Sequence, residues 1–502
     1  MLANLQLLPA PCQLSPKSIP RWPALPLLAN TGLSNRTRKT THKTGKNYSC
    51  VPERASYAGS LHAKAYTDRD TDLARHRFAT VPALTMRVAI VGAGIIGVTT
   101  AYEISSDGHE VTVFERRANA GEETSFANAG VISPGYVAPW AAPGMSTKVL
   151  KQMLGLHASV RLSLPLTFAD FNWMWRWWRA CDPDTFRANR KRMQRLAFYS
   201  RQRLATLRRE LDLDFEGSKG YMVVLRTDQD RHLIEPGLAI LRESGVRFND
   251  LDMAEARAIE PALNPDLSFA GGIHLPDDEI GNCRQFTLLL KSAATHAGVK
   301  FRFGTTVCSV TPGDHPSLKV HGQSNSESFD AIILCAGVAS ADLLRDIGIA
   351  IPLVPVYGYS ISAPVREPLN APKSAIMDER FKVAISRLGN RVRVAGSAEL
   401  GGEFGKFRKE SIRTLYKVLL DWFPGAAVTT QGVQQWKGAR PMLPEGPPVL
   451  GRSPRPGIWL NLGHGSSGWA MACGCARVLA DEILGRKPEL DLEGLRVDRY
   501  LR

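Results

Sequence analysis

The chain has 502 residues, of which 44% are hydrophobic and 22% are charged, an ordinary globular composition with enough apolar material for a large core or two domains. It lacks an apolar run of about 18 residues or more, and its eight cysteines are too sparse for a disulfide framework. Since no His/Cys cluster has zinc-ligand spacing either, we predict no transmembrane helix and no metal, and the composition favours a reducing, cytoplasmic compartment.

The net charge of +15 is divided unevenly along the chain. Residues 1–85 contain 12 Lys and Arg side chains against four acids, so they carry +8 and the remaining residues carry +7. A body of this size at +7 is only mildly basic, and we expect no nucleic-acid partner. The charge is compatible with an anionic substrate or an anionic membrane surface, and equally with an ordinary solvated surface.

The first 85 residues are predicted to lie outside the folded body. Residues 1–50 contain no Asp or Glu and are rich in Leu, Pro, Ser, Thr and basic residues, a composition typical of organellar transit peptides. The alternative is a disordered leader or a wrongly assigned start, since Met86 stands directly before the first predicted strand. Organellar targeting therefore stays open beside a cytoplasmic location, and we take the folded part to begin at residue 86.

A phosphate-binding turn is predicted at the start of the folded part. Residues 87–91 read RVAIV, the composition of a buried parallel strand, and Gly92, Gly94 and Gly97 follow in the pattern GxGxxG. In such a turn the first glycine allows the tight bend and the second lets backbone N–H groups approach a pyrophosphate. The third lets the following helix pack closely on the strand.

A helix, a second strand and an acid complete the βαβ unit. The helix is predicted over residues 95–105, and residues 109–114 form the second strand, which Glu115 closes 18 residues after Gly97. An acid at this place accepts hydrogen bonds from an adenosine ribose. Glu115 disfavours a phosphorylated ribose through like-charge repulsion, although the neighbouring Arg116 weakens that inference. The unit therefore predicts a dinucleotide site without distinguishing FAD from NAD.

Two later strands favour FAD over a nicotinamide cofactor. Residues 305–310 and 330–337 read as β-branched and apolar strands that come more than 200 residues after the glycine turn. In two-domain flavoproteins of the glutathione-reductase type, such late strands return to the first βαβ sheet. A nicotinamide-dependent dehydrogenase would instead continue from one compact nucleotide unit directly into its catalytic domain.

Three motifs resemble those of a known family. They are residues 124–144, which begin TSFANAG, residues 438–451 (GARPMLPEGPPVLG) and residues 463–474 (GHGSSGWAMACG). They resemble the FAD-dependent D-amino acid oxidase superfamily and, more closely, the small subunit of bacterial D-amino acid dehydrogenases, over essentially residues 86–502. The extension over residues 1–85 departs from the family pattern.

The resemblance implies the fold and its division into domains. The expected class is α/β, in the form of an α+β two-domain flavoprotein: a glutathione-reductase-type FAD-binding βαβ domain interleaved with an antiparallel-sheet substrate domain. The FAD-binding part is expected mainly in residues 86–145, 275–345 and 435–490. The substrate part is expected mainly in residues 146–274 and 346–434.

The resemblance also implies an activity and its partners. D-amino acids resembling D-alanine would be oxidatively deaminated by hydride transfer to the flavin, and the imino acid would hydrolyse to a 2-oxo acid and ammonia. Electrons would pass to a respiratory quinone or another acceptor that is not oxygen. The alternatives are a glycine, sarcosine or cyclic amino acid oxidase or dehydrogenase of the same superfamily, and a catalytically silent subunit that binds FAD.

Three residues are predicted to serve the chemistry directly. The superfamily's carboxylate anchor matches Arg440, because a guanidinium binds a carboxylate through two parallel hydrogen bonds. His464 lies in the glycine-rich loop over residues 463–468, whose N–H groups would favour the negative charge of a reduced flavin; the alternative is packing or capping. Tyr359 lies on a predicted strand of the substrate domain and would line the pocket, although strand aromatics often serve packing alone.

The residues predicted to bind FAD come from four parts of the sequence. They lie in the βαβ unit, in the loop that follows it, in the two late strands and in the glycine-rich loop. They are Val88, Gly92, Gly94, Ile95, Ile96, Gly97, Glu115, Arg116, Ser125, Asn128, Ala129, Gly130, Val307, Ala336, Gly337, Gly463, Gly465, Ser467 and Gly468.

The roles of two further sequence features, an aromatic segment and a histidine, stay open. Residues 168–178 read FADFNWMWRWW and are followed by several Arg and Lys residues. Aromatics near cations suit peripheral membrane attachment, on the inner face of a plasma membrane, or a quinone route; a helix that packs its tryptophans into the core is the alternative. His274 is a pocket candidate, although a lone histidine is more often structural.

Overall fold

The structure is a computed structural model that describes residues 85–145 and 159–501. The predictions for the N-terminal extension therefore lie outside the described residues, apart from Thr85. In chain order the strands are β1 (Arg87–Val91), β2 (Glu110–Phe114), β3 (Val131–Ile132), β4 (Val160–Ser163), β5 (Ser218–Leu225), β6 (Asn249–Leu251), β7 (Gly271–Ile280), β8 (Lys300–Arg302), β9 (Val307–Thr311), β10 (Ser317–Val320), β11 (Ser326–Ser328), β12 (Ala331–Leu334), β13 (Val354–Pro364), β14 (Ala375–Asp378), β15 (Val383–Leu388), β16 (Arg391–Gly401), β17 (Gln434–Met442), β18 (Val449–Arg452) and β19 (Ile458–Leu462). The α-helices are α1 (Ile95–Ser106), α2 (Phe168–Arg179), α3 (Pro183–Glu210), α4 (Asp228–Glu243), α5 (Met253–Ile259), α6 (Cys283–His296), α7 (Ser340–Asp346), α8 (Lys409–Trp422) and α9 (Gly468–Ile483).

A six-stranded sheet in the order β18-β19-β12-β1-β2-β8 carries the βαβ unit. Strand β1 pairs in parallel with both β2 and β12, and only the edge strand β18 runs antiparallel to its neighbour. The strands at the centre are apolar because helices and loops cover both faces; β12 is fully buried along its length. The prediction that the strand within residues 330–337 returns to the first sheet is confirmed.

The prediction for the other late strand is wrong. The sequence predicts that residues 305–310 return to the first sheet, but β9 pairs with β10 in a separate three-stranded sheet, β11-β10-β9. Most side chains of β9 are only half-buried, with Val310 the buried exception. A β-branched strand of this kind suits a small, partly solvated sheet, and the edge of the first sheet is formed by β8 instead.

A larger, mainly antiparallel sheet contains ten strands. Its path is β17-β13-β16-β15-β14-β5-β7-β3, with β4 pairing with β16 and β6 pairing with β7. The mixed α/β architecture, which combines a sheet carrying the βαβ unit with a large, mainly antiparallel sheet, is the fold class that the sequence predicts. Two strands that the expected boundaries assign wholly or partly to FAD binding, β17 and β7, pair within this larger sheet. The residue-level domain boundaries stay predictions.

Helix α9 is the central buried helix and packs against α1 and α3. A Cβ added to Gly474 would lie 2.8 Å from the backbone nitrogen of Ser200 on α3, so glycine permits this close approach. Cys473 and Cys475 on α9 are free thiols buried in the core. Within the described residues, no helix combines the length and the apolar character needed to cross a membrane.

Candidate active site

The glycine turn has the geometry that its spacing predicts. Gly92 has a φ of +106°, and its N–H donates to the carbonyl oxygen of Phe114 at 2.8 Å. A Cβ on Gly97 would lie 1.8 Å from the carbonyl oxygen of Gly92, so no side chain fits there. The N–H of Ile95, at the start of α1, donates to Ser125 Oγ at 3.0 Å. Because glycines line this turn, a phosphate group can approach the backbone at the start of α1 closely.

Glu115 lies beside the turn with its carboxylate already oriented by backbone groups. Its two oxygens accept the N–H of Ala93 at 2.7 Å and the N–H of Arg117 at 2.8 Å, while burial raises its pKa. Arg116 is engaged in hydrogen bonds of 2.8 and 2.7 Å with Glu123. Glu115 therefore keeps the acceptor capacity that a ribose hydroxyl needs, while the contribution of Arg116 to cofactor binding stays a prediction.

The other predicted cofactor residues lie in several places. Ala336 and Gly337 follow β12 against the turn, since a Cβ on Gly92 would lie 3.1 Å from Cα of Ala336. Val88 is buried in the core of the first sheet, and Val307 lies in the three-stranded sheet. The glycine turn, the N-terminus of α1 and Glu115 together form a cradle that fits the pyrophosphate and ribose of FAD.

A cavity of about 670 Å³ lies beside the larger sheet. It is lined by the loop after β2, by β4 and α2, by strands of the larger sheet and by the turn before α9. Six of the predicted site residues line it: Asn128, Ala129, Tyr359, Arg440, Gly465 and Ser467. His274 lies on β7 opposite Met222 and is not among the described residues that line the cavity.

Arg440 presents its guanidinium to the cavity. Nη1 donates to the carbonyl oxygen of Ser397 at 3.0 Å, and the guanidinium carbon lies 5.7 Å from the centre of the Trp140 ring. Burial lowers the pKa of Arg440 to about 10, which leaves the side chain charged at neutral pH. The described residues supply no carboxylate that holds the guanidinium. A half-buried cation with spare donors is suited to bind an anionic ligand.

Arg440 is positioned by two local features, neither of which the sequence reveals. The pairing of β13 with β16 shifts register between Tyr357 and Tyr359, and Ser397 at this bulge has a φ of +58°. This conformation accompanies the hydrogen bond between the Ser397 carbonyl oxygen and Arg440. Gly358 provides the space, because a Cβ there would lie 2.3 Å from Arg440 Nη2.

Tyr359 borders the cavity but is almost fully buried, and its hydroxyl is engaged in other hydrogen bonds. The hydroxyl donates to the carboxylate of Glu399 and accepts the N–H of Arg408 at 3.3 Å. Glu399 also accepts a hydrogen bond from Ser163 Oγ at 2.5 Å and pairs with the buried Lys437 ammonium at 3.0 Å. Burial and this carboxylate raise the pKa of Tyr359. The geometry therefore gives Tyr359 a role in shaping the cavity wall, while a catalytic role stays a prediction.

His464 is buried directly before the turn over residues 465–467. Its Nε2 has no hydrogen-bond partner among the described residues, and burial lowers its pKa to about 3. The imidazole is therefore neutral at physiological pH. It is not among the described residues that line the cavity, although Gly465, the next residue, is. An unpartnered polar atom here is compatible with a ligand group held at the turn.

The aromatic segment over residues 168–178 forms most of helix α2. Thr167 and Asp170 cap its first turn reciprocally, which fixes the helix start. The indole N–H of Trp173 donates to the carbonyl oxygen of Met442 at 3.0 Å, and Trp173, Met174, Trp177 and Trp178 line the cavity. The opposite face remains exposed at Phe168, Phe171 and Trp175, and Trp178, whose ring stacks on that of Trp175, is 54% exposed as well. One face therefore packs against the larger sheet, and the other faces solvent.

Comparisons with known proteins agree with this architecture. A family model described as FAD dependent oxidoreductase matches residues 87–482. Glycine oxidase from Geobacillus kaustophilus is 21% identical, with a TM-score of 0.65 over 82% of this chain and 99% of that chain. L-proline dehydrogenase from P. horikoshii is 16% identical, with a TM-score of 0.62 over 83% and 98%. L-amino acid deaminase from Proteus myxofaciens, in complex with anthranilate, is 14% identical, with a TM-score of 0.60 over 84% and 95%.

Proposed function

This chain belongs to the FAD dependent oxidoreductase family, with FAD as its cofactor, and we propose that it catalyses the oxidative deamination of D-amino acids to 2-oxo acids and ammonia. The observation that carries the proposal is Arg440, a cation with spare donors that faces the cavity. The same cavity is bounded by the turn over residues 465–467, which precedes α9. An amino acid held there through its carboxylate would have its Cα fixed in the cavity.

FAD, when bound, supplies the two-electron acceptor for the hydrogen that leaves Cα. Arg440 binds the substrate carboxylate, and the Ser397 carbonyl oxygen and Gly358 keep the guanidinium in place. The charged side chains among the described lining residues are Arg440 and Lys382, both cations. Because no acid lines this described surface, the site favours the neutral amine over the ammonium. A neutral amine has the nitrogen lone pair that assists loss of hydride from Cα.

Selectivity for the D-isomer rests on the resemblance of residues 438–451 and 463–474 to D-amino acid dehydrogenases. The similar structures carry the names glycine oxidase, L-proline dehydrogenase and L-amino acid deaminase, so their likeness establishes the shared fold and not the stereochemistry. A comparison of D- and L-isomers of one amino acid therefore separates the proposal from its alternatives within the family.

For the electron acceptor we propose a quinone or another acceptor that is not oxygen, reached at an anionic membrane surface. Support comes from the solvent-facing side of α2, where Phe168 is 88% exposed and Phe171 and Trp175 are each 57% exposed. Arg179 lies exposed at the end of the same helix. Aromatic side chains beside cations are typical of helices that lie in the interface of an anionic bilayer.

The proposed function is tested by following products. The full-length protein with FAD is incubated with D- or L-alanine or phenylalanine and an artificial electron acceptor, and the 2-oxo acid and ammonia are measured. Arg440→Ala should keep its FAD but lose about 30-fold or more in kcat/KM, since a charged hydrogen-bonded pair contributes roughly 2–5 kcal/mol. An Arg440→Ala variant that contains FAD and turns over like the parent would remove the carboxylate-anchor role.

A further inference from the structure

We propose that the substrates of this site are amino acids with bulky apolar side chains, aromatic ones above all, and that α2 helps to select them. This inference rests on the proposed function, because it takes Arg440 as the carboxylate anchor. The selecting surface is an aromatic wall, which consists of Trp140, Trp173, Met174 and Trp177. Trp178 also borders the cavity, but it is 54% exposed and stacks on the exposed Trp175.

The aromatic wall lies close to the anchor. The Trp140 ring lies 5.7 Å from the guanidinium carbon of Arg440. Trp173 is fixed to the same strand as Arg440, since its indole N–H donates to the carbonyl oxygen of Met442 at 3.0 Å. The rings of Trp173 and Trp177 are nearly parallel, 8° apart, with their centres separated by 6.4 Å. A side chain that extends from a carboxylate held by Arg440 would therefore lie beside the Trp140 ring, in a cavity that Trp177 also lines.

The aromatic wall makes no apolar contact with a substrate that has a small side chain. Glycine or alanine could engage Arg440, but it would leave the half-buried indole rings of Trp140 and Trp177 in contact with water, whereas Trp173 is already buried. An aromatic side chain would cover those rings and be removed from water with them, which is the main source of affinity for apolar groups.

The charges of the cavity disfavour ionised side chains. No acid lies among its described lining residues, so a lysine or arginine side chain would be buried without a partner. Lys382, the second cation of the lining, is already paired with the carboxylate of Glu379. Since its charge is compensated, an acidic side chain gains little there. The side chain that fits is uncharged and large.

Two amine-free carboxylates test the wall without turnover. Binding of propanoate and of 3-phenylpropanoate to the full-length protein with FAD is measured by calorimetry. We expect 3-phenylpropanoate to bind about tenfold more tightly or better, which corresponds to about 1.4 kcal/mol. In parallel, the rate of flavin reduction is compared for D-phenylalanine and D-alanine, with the phenylalanine expected to have the higher kcat/KM.

Substitutions on α2 test whether the aromatic wall causes the tighter binding of 3-phenylpropanoate. Trp177→Ala should weaken 3-phenylpropanoate binding about tenfold and leave propanoate binding within about twofold. Phe171→Ala, on the exposed face of the same helix, is the matched control and should change neither. If Trp177→Ala does not retain FAD, Trp177→Leu serves instead, because it keeps an apolar side chain while removing the indole.

The outcomes separate this inference from the proposed function. Equal binding of the two carboxylates, together with faster reduction by D-alanine, would overturn the inference and leave the function standing. Failure of every amino acid to reduce the flavin, with no binding of either carboxylate, would instead overturn the proposed function. An equal loss with Phe171→Ala and Trp177→Ala would show that the helix acts through stability and would also overturn the inference.

Discussion

Substituting Gly358 by alanine should disable the carboxylate anchor while leaving the fold intact. The added Cβ would lie 2.3 Å from Nη2 and 2.5 Å from Cζ of Arg440, where ordinary contacts begin at 3.4 Å. The guanidinium must therefore retreat by about 1 Å, and a displacement of that size can cost about 100-fold in rate, or about 2.7 kcal/mol. Because the guanidinium is the end of a flexible side chain, it can move without unfolding the strand.

The assay is kcat/KM for a D-amino acid, together with FAD content and the free energy of unfolding of each variant. Gly405→Ala is the matched control, since no atom lies within 4 Å of its added Cβ. We expect Gly358→Ala to retain FAD and stability and to lose kcat/KM about 100-fold, and Gly405→Ala to behave like the parent. A Gly358→Ala variant with the parent's kcat/KM would refute the assignment of Arg440 as the anchor.

Three further predictions concern the cofactor, pH and the membrane. Gly97→Ala should abolish FAD binding, read from the flavin absorbance of the purified protein, because the Cβ would collide with the carbonyl oxygen of Gly92 at 1.8 Å; a yellow variant would contradict this. Burial lowers the pKa of His464 from its ordinary 6.5 to about 3, so the unfolded chain binds more protons between these values and stability falls as the pH is lowered. Between pH 7 and pH 5 the parent should therefore lose about 2 kcal/mol more than His464→Asn in urea unfolding, and parallel losses would refute the buried neutral imidazole. The full-length protein should sediment with anionic vesicles at low salt and not with neutral ones, and a Phe168→Ser/Trp175→Ser variant should stay in solution; equal sedimentation of the two proteins would exclude the exposed face of α2 as the contact.

The nucleotide-binding part of the fold can be predicted from the sequence because the residues that specify it lie close together in the chain. The apolar run of β1, the glycines at the turn and Glu115 are each dictated by contacts within one βαβ unit. The steric need for glycine is equally local, since the atoms that a Cβ at position 97 would meet belong to Gly92. The resemblance of the motif around Arg440 likewise implies a carboxylate anchor, and the structure places this residue on β17 at the cavity.

The substrate cavity is much harder to predict from the sequence, because the segments that line it come together only through long-range strand pairing and helix packing. The bulge that gives Ser397 a positive φ arises from the register between β13 and β16, and a serine carries no sequence signal for it. The amphipathic pattern of α2 predicts a helix but not which aromatic face meets the larger sheet. The wrong prediction for β9 has the same cause. Its β-branched composition suits any sheet, and only tertiary pairing decides which sheet it joins.

The most direct test of the central claim is the anaerobic visible spectrum of the full-length protein with bound FAD, recorded before and after addition of D-phenylalanine and, in a fresh sample, of L-phenylalanine. We predict that the D-isomer bleaches the flavin and that the L-isomer does not. Slow recolouring after admission of air would then identify an acceptor other than oxygen. A flavin that stays oxidised with every D-amino acid, or that is reduced only by L-isomers or glycine, would contradict the assignment of a D-amino acid dehydrogenase.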